Sequence, residues 1–141
     1  MSFYLDTSAL IPLFVQEDSS ETVEHWFAST KDVKFVSNLT SAEFCSAVSR
    51  LVRMKLQSAQ DAKEVISDFE TWRDRAAQTL EITASDFNGA GQLVRRPAPK
   101  LLTPDAIHLA ACSRLGLTLV TFDMDLISNA KSYNIPFITP T

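Results

Sequence analysis

Asp6, Glu43, Asp105 and Asp123 are the residues of this chain whose types and placement could do chemistry together. Four carboxylates brought to one place repel, and each raises the pKa of the others unless a cation neutralises them. Ligands that offer only oxygen suit the hard ions Mg2+ and Mn2+ rather than zinc. Such ions lower the pKa of a bound water, orient it for in-line attack on phosphorus and stabilise charge on the leaving oxygen, so phosphodiester hydrolysis is the reaction this set would serve. Each acid also has a plainer reading. Asp6 and Asp123 could be helix caps, and Glu43 and Asp105 could complement the dipole of a first helical turn. Thr7, Ser8 and Thr121 could hold the carboxylates or a bound water, or could simply end strands. Asp86 reads as a first-turn acid only. His108, one turn beyond Asp105, reads as a satisfied core or rim histidine, and His25 falls in a surface-type amphipathic helix, so no two-histidine acid–base pair is suggested.

The four acids matter only if the elements around them bring them together. Phe3 to Leu5 reads as a short buried strand and Ala9 to Val15 as a brief apolar helix. A second helix, capped by Ser19 or Ser20, runs to about Ala28 with Val23, Trp26 and Phe27 on one face. Lys34 to Ser37 reads as a strand. From about Thr40 the recurrence of Phe44, Ala47, Val48, Leu51 and Val52 predicts a long helix, and another runs from about Ser58 to the Thr79 region. Leu80 to Thr83 is a predicted strand, and Ser85 opens a helix weakened by Gly89 and Gly91. Arg95 to Lys100, with two prolines, is a loop. Thr103 as cap and Pro104 at the first helical position start a helix that ends near Leu115, with Gly116 just past its end. Leu117 to Thr121 is a strand, Asp123 or a neighbour starts the last helix, and Phe137-Ile138 closes as a strand. Strands alternating with helices imply a parallel sheet covered on both faces. Ligands gather at the carboxyl ends of such strands. Asp6 and Asp123 follow strands, and Glu43 and Asp105 fall in first helical turns, so all four map to that one edge.

The remaining composition fits this picture. With 141 residues, 45% apolar and 21% charged, the chain is expected to form one ordinary globular domain spanning 1–141. The start does not read as a signal peptide and no apolar run is long enough for a membrane span, so a cytoplasmic setting is the default expectation. Cys45 and Cys112 lack metal or disulfide spacing and read as small core residues. A net charge of -4 argues at first against a nucleic-acid partner. Setting the four site acids aside, however, leaves 13 acids against 13 Lys and Arg, and a site that holds metal itself attracts phosphate. Arg50 to Lys55 and Arg95 to Lys100 are locally basic and read either as solvated surface or as phosphate contacts.

Asp6-Thr7-Ser8-Ala9-Leu10, Glu43 within Thr40-Ser41-Ala42-Glu43-Phe44, Thr103-Pro104-Asp105-Ala106-Ile107-His108-Leu109-Ala110-Ala111, and Thr121-Phe122-Asp123-Met124-Asp125-Leu126 together resemble the ordered acidic motifs of the PIN domain, in particular of bacterial VapC-type toxin ribonucleases. The resemblance spans nearly the whole chain. It implies a three-layer α/β/α sandwich with a mostly parallel central sheet and a Mg2+ or Mn2+ site. RNA would be the substrate, with metal ligation and water activation on Asp6, Glu43, Asp105 and Asp123; the family pattern requires the first acid after the strand, so Asp125 would either assist as a further metal ligand or only cap the last helix. It further implies a homodimer and a small cognate antitoxin that covers or inserts into the acidic pocket. Within the family, a housekeeping RNA-processing nuclease and an inactive RNA- or protein-binding module are the alternatives. An aspartate-nucleophile phosphatase would need an acid where Ser8 stands, and no Gly-rich phosphate loop with a lysine is present.

Overall fold

Each strand is followed by at least one helix before the next strand begins, which is the condition for parallel pairing. The structure, a computed structural model, describes all residues from Met1 to Thr141. Its elements in chain order are β1 (Ser2–Leu5), α1 (Thr7–Phe14), α2 (Ser20–Ser29), β2 (Val33–Ser37), α3 (Asn38–Arg53), α4 (Ala59–Ala76), β3 (Gln78–Leu80), α5 (Ala84–Leu93), α6 (Thr103–Leu115), β4 (Thr118–Val120), α7 (Met124–Ser132) and β5 (Phe137–Ile138). The five strands form one sheet in the order β3-β2-β1-β4-β5, and every pairing is parallel.

β1 is the middle strand, and its side chains alternate between the two faces as the pleat requires. Phe3 and Leu5 join a core with Leu10, Phe44, Val48 and Phe69, contributed by α1, α3 and α4. Tyr4 joins the opposite core with Leu109, Cys112, Leu126 and Ala130, contributed by α6 and α7. The result is the expected sandwich of helices, sheet and helices. The first core is rich in aromatic contacts, with Phe44 stacked on Phe69 at a centroid separation of 4.0 Å and Phe14 edge-on to both. On the other side α5 lies close against α6. A Cβ added to Gly89 would stand 3.2 Å from that of Ala110, so the glycine that weakens the helix locally also permits this approach. No helix is long and apolar enough to cross a membrane.

Several boundaries differ from the sequence expectation. Helix α3 begins at Asn38, not Thr40, because the Ser37 hydroxyl accepts the Thr40 amide as its cap. Strand β3 is Gln78–Leu80 and lies ahead of the expected Leu80 to Thr83, because Thr83 is engaged in capping: its hydroxyl accepts the Asp86 amide while the Asp86 carboxylate accepts the Thr83 amide. The cap of α6 is Leu102, which moves Thr103 and Pro104 one place into the helix, and Gly116 ends it at φ 64 in the left-handed region. Cys112 is buried as expected, but Cys45 is exposed. Phe44 and Val48 define the inward face of α3, and a residue one step from Phe44 is turned about 100° away from that face.

Candidate active site

In the sheet order, β1, β2 and β3 proceed in one direction from the centre while β4 lies on the other side of β1. The chains leaving β1 and β4 therefore diverge, and their carboxyl ends open a crevice of the kind in which α/β proteins bind ligands. Asp6 leaves β1 here, its amide donating to the Val120 carbonyl at 3.0 Å, and Asp123 follows β4. A cleft of about 860 Å3 occupies the crevice. Asp6, Thr7, Ser8, Glu43, Asp105 and Asp123 are in its lining, with Arg50 and Arg53 from the far end of α3.

The plainer readings of Asp6 and Asp123 hold together with the functional one. Asp6 caps α1 and Asp123 caps α7, but each does so through one oxygen. Asp6 Oδ2 accepts the Ser8 amide at 3.2 Å, the Ser8 hydroxyl at 2.6 Å and the Thr121 hydroxyl at 2.9 Å. Asp123 Oδ1 accepts the Leu126 amide at 3.0 Å. Thr121 Oγ1 also accepts the Asp123 amide at 3.0 Å, and Ser8 Oγ accepts that of Phe122 at 2.9 Å. The two hydroxyls thus tie the end of β4 to the acid at the end of β1. Glu43 Oε1 bonds His108 Nε2. Asp105 has no protein donor at either oxygen. Each of the four acids therefore keeps at least one oxygen free of protein hydrogen bonds, and three are held by the other.

That arrangement leaves negative charge uncompensated. Burial, then the charges of Asp123 and Asp6, push the Asp105 carboxyl up to about 6, with His108 opposing and Glu43 adding. No three His, Cys, Asp or Glu side chains are gathered tightly enough to enclose a metal ion on their own. The acids line the walls of a cleft and do not form a cage, a donor set that fits a cation such as Mg2+, which keeps several waters and takes few carboxylates. Asp105 on α6, Asp6 past the end of β1, Glu43 on α3 and Asp123 past the end of β4 could meet it directly or through its waters.

Other candidates fall elsewhere. Glu43 lies in the second turn of α3 and not the first, because the helix starts earlier than expected. Asp125 is exposed in the first turn of α7 and is not in the cleft lining. Asp86 is a structural acid, as expected, but more than a cap: it is 1% exposed and takes two bonds from Arg114, at 2.7 and 2.9 Å. Of the two basic segments, Arg50 and Arg53 border the cleft, whereas Arg96 lies over the Tyr133 ring and bonds Ser132. His108 is fully buried, so the core reading is right, yet it touches a cleft carboxylate. Its spacing from Asp105 by three residues was the available signal, since i and i+3 share a helix face.

A parallel α/β/α sandwich with a carboxylate-lined cleft at the switch point of its sheet defines the class. Residues 3–133 match the PIN domain, and the chain belongs to that family. It is 31% identical to Ribonuclease VapC46 of Mycobacterium tuberculosis over 146 residues, covering 99% of this chain and 98% of that protein. Among solved structures it is similar to VapBC2 from Rickettsia felis bound to a promoter DNA fragment, with a TM-score of 0.73, 16% identity and full coverage of both chains. It is similar also to M. tuberculosis VapC20, a sarcin-ricin loop cleaving toxin, with a TM-score of 0.72 and 21% identity over 89% of this chain and 93% of that one.

Proposed function

We propose that the chain is an Mg2+- or Mn2+-dependent endoribonuclease and the toxin of a toxin–antitoxin pair, with Asp6, Glu43, Asp105 and Asp123 as its metal-binding and catalytic residues. The observation that carries this reading is that all four acids, drawn from four separate segments, line one cleft with an oxygen left free on each. The near full-length similarity to a named ribonuclease supports the substrate class. When bound, the cation supplies an acidified water and neutralises charge on the phosphate under attack. The protein does the positioning. Ser8 and Thr121 hold Asp6, the first turn of α7 holds Asp123, and His108 holds Glu43. Arg50 and Arg53 have no ion-pair partner in the protein. At a rise of 1.5 Å per residue they stand about 10 and 15 Å along α3 from Glu43, so they would meet phosphates beyond the one cleaved.

In this reading residues 1–141 act as one nuclease domain in the cytoplasm, as a homodimer, restrained by a cognate antitoxin that covers the cleft. The purified protein, freed of any partner, should cut single-stranded RNA with Mg2+ or Mn2+ and leave 5′-phosphate and 3′-hydroxyl ends; Asp6→Asn should abolish cutting. Undiminished cleavage in excess EDTA, or cyclic 2′,3′-phosphate ends, would overturn the mechanism. Expression without a partner should arrest growth, and normal growth with folded wild-type protein would remove the toxin assignment.

A further inference from the structure

Behind Glu43 lies a line of polar side chains that the cleft itself does not require. Tyr4, Ser37, Thr40 and His108 are all fully buried. The Tyr4 hydroxyl bonds His108 Nδ1 on one side and, on the other, Ser37 Oγ at 2.7 Å, with Thr40 Oγ1 at 3.3 Å. Thr40 Oγ1 lies 3.1 Å from Ser37 Oγ and 3.4 Å from the Leu5 carbonyl. The line therefore starts at the carboxyl ends of β1 and β2, passes through α6 and emerges at Glu43 on α3. Its members come from four elements, and unpaired polar groups so deeply placed would be strongly destabilising.

The direction of the hydrogen bonds follows from the end that meets the cleft. An ionised carboxylate only accepts, so His108 Nε2 must donate to Glu43 Oε1. A neutral imidazole that donates from Nε2 can only accept at Nδ1, so Tyr4 must donate there. The Tyr4 hydroxyl then has its oxygen left for the Ser37 and Thr40 protons, and the Ser37 oxygen takes the Thr40 amide at 3.0 Å. With a neutral ring, every donor and acceptor is accounted for in this sense. In the reverse sense the lone pair of Nε2 would face the carboxylate.

We propose that Tyr4 and His108 are positioning residues: Tyr4, donating to Nδ1, holds the neutral ring in place, and the ring in turn holds Glu43 by Oε1 alone, leaving Oε2 to the cleft and setting the cation affinity of the site. The affinity half of this statement rests on the proposed metal-binding role of Glu43. Hydrogen bonds behind a metal-binding side chain govern its orientation, and their removal typically lowers metal affinity about 10- to 100-fold. Tyr4→Phe is the sharpest perturbation, because it removes one oxygen from a buried site without changing the ring.

The chain has two histidines, and His25 is exposed, so a His25→Gln background leaves one imidazole to observe by nitrogen-15 NMR. The expected wild-type spectrum is that of a neutral ring protonated at Nε2 alone. In Tyr4→Phe the unprotonated Nδ1 should lose its hydrogen-bond shift while Nε2 keeps its proton, and Mn2+ binding to the full chain, followed by calorimetry without substrate, should weaken at least ten-fold. His108→Gln, which keeps a donor near the place of Nε2, should retain more Mn2+ affinity than His108→Leu. An imidazolium or Nδ1-protonated ring in the wild type would overturn the relay. So would a folded Tyr4→Phe protein with an unchanged Nδ1 resonance and Mn2+ affinity, whatever its melting temperature. Failure of the metal reading is separable: wild type and Glu43→Gln would then bind Mn2+ equally poorly, the affinity half would fall, and the tautomer measurement would still decide the relay.

Discussion

Removing the charge of Asp105 should stabilise the metal-free protein. Its pKa of about 6, against an ordinary 3.8, comes from burial first and from the Asp123 and Asp6 charges next. A carboxyl whose folded pKa lies above its unfolded value holds its proton more tightly when folded. Its stabilising contribution is therefore complete below about pH 4 and is lost as the pH rises through about 6. The gap corresponds to about 3 kcal/mol. Asp105→Asn forfeits a favourable interaction of a first-turn acid with the α6 dipole, about 0.3 to 1 kcal/mol, so the variant should gain about 2 kcal/mol at pH 8. For a chain of this size that raises the melting temperature by roughly 6 °C. Thermal melts in EDTA at low salt, at pH 8 and pH 4, measure it: the variant should melt higher at pH 8, and the advantage should vanish at pH 4. Added Mg2+ should raise the wild type more than the variant, because ligand bound to the native state stabilises it. A variant that melts lower at pH 8 and responds to Mg2+ as the wild type does would return Asp105 to the role of a helix-dipole acid.

Arg114→Ala should cost about 3 kcal/mol in urea denaturation, since it leaves the Asp86 carboxylate buried without its partner; a loss under 1 kcal/mol would mean that the Thr83 bonds suffice. Burial raises the Asp86 pKa, but the bonds from Arg114 and Thr83 outweigh it and hold the carboxyl low. The pair therefore stabilises above the unfolded pKa, and the wild type should lose this margin as the pH falls through the folded one, whereas Arg114→Ala should have less to lose. Phe69→Ala, which empties the middle of the aromatic cluster, should destabilise by about 3 to 5 kcal/mol, read from the same denaturation curves. Arg50→Gln and Arg53→Gln should each weaken RNA binding in EDTA and flatten its dependence on the logarithm of salt by about 0.7, the single-strand value for one phosphate contact; unchanged slopes would assign the arginines to another surface.

The parallel sheet was legible in the sequence because each apolar strand run is short and each is followed by a helix-period pattern. The four acids could be placed at one edge of the sheet from chain order alone, since strand ends fix where they emerge. Cap chemistry was less legible. From the sequence alone Ser37 and Thr83 end strands, whereas each caps the following helix, which puts Glu43 in the second turn instead of the first and ends β3 at Leu80 instead of Thr83. Cys45 reads as a core residue because the composition around it is apolar, while its helical phase turns it outward. The Tyr4–His108–Glu43 line was invisible because its members are separated by up to 104 residues, and no local pattern marks a tyrosine on a buried strand as a hydrogen-bond donor.

The central position of β1 has a consequence for how and when the cleft comes into being. The first strand finishes its pairing only when β4 arrives, with Phe3 set beside Thr118 and Leu5 beside Val120. Asp105 and Asp123 are made late, and Thr121, which orients Asp6, lies 115 positions beyond it. A growing chain, or one cut short before β4, holds Asp6 and Glu43 but neither of the other acids in place nor the hydroxyl that aims the first. The cleft is thus completed only once the segments through β4 and Asp123 have been made and paired, however early Asp6 and Glu43 emerge.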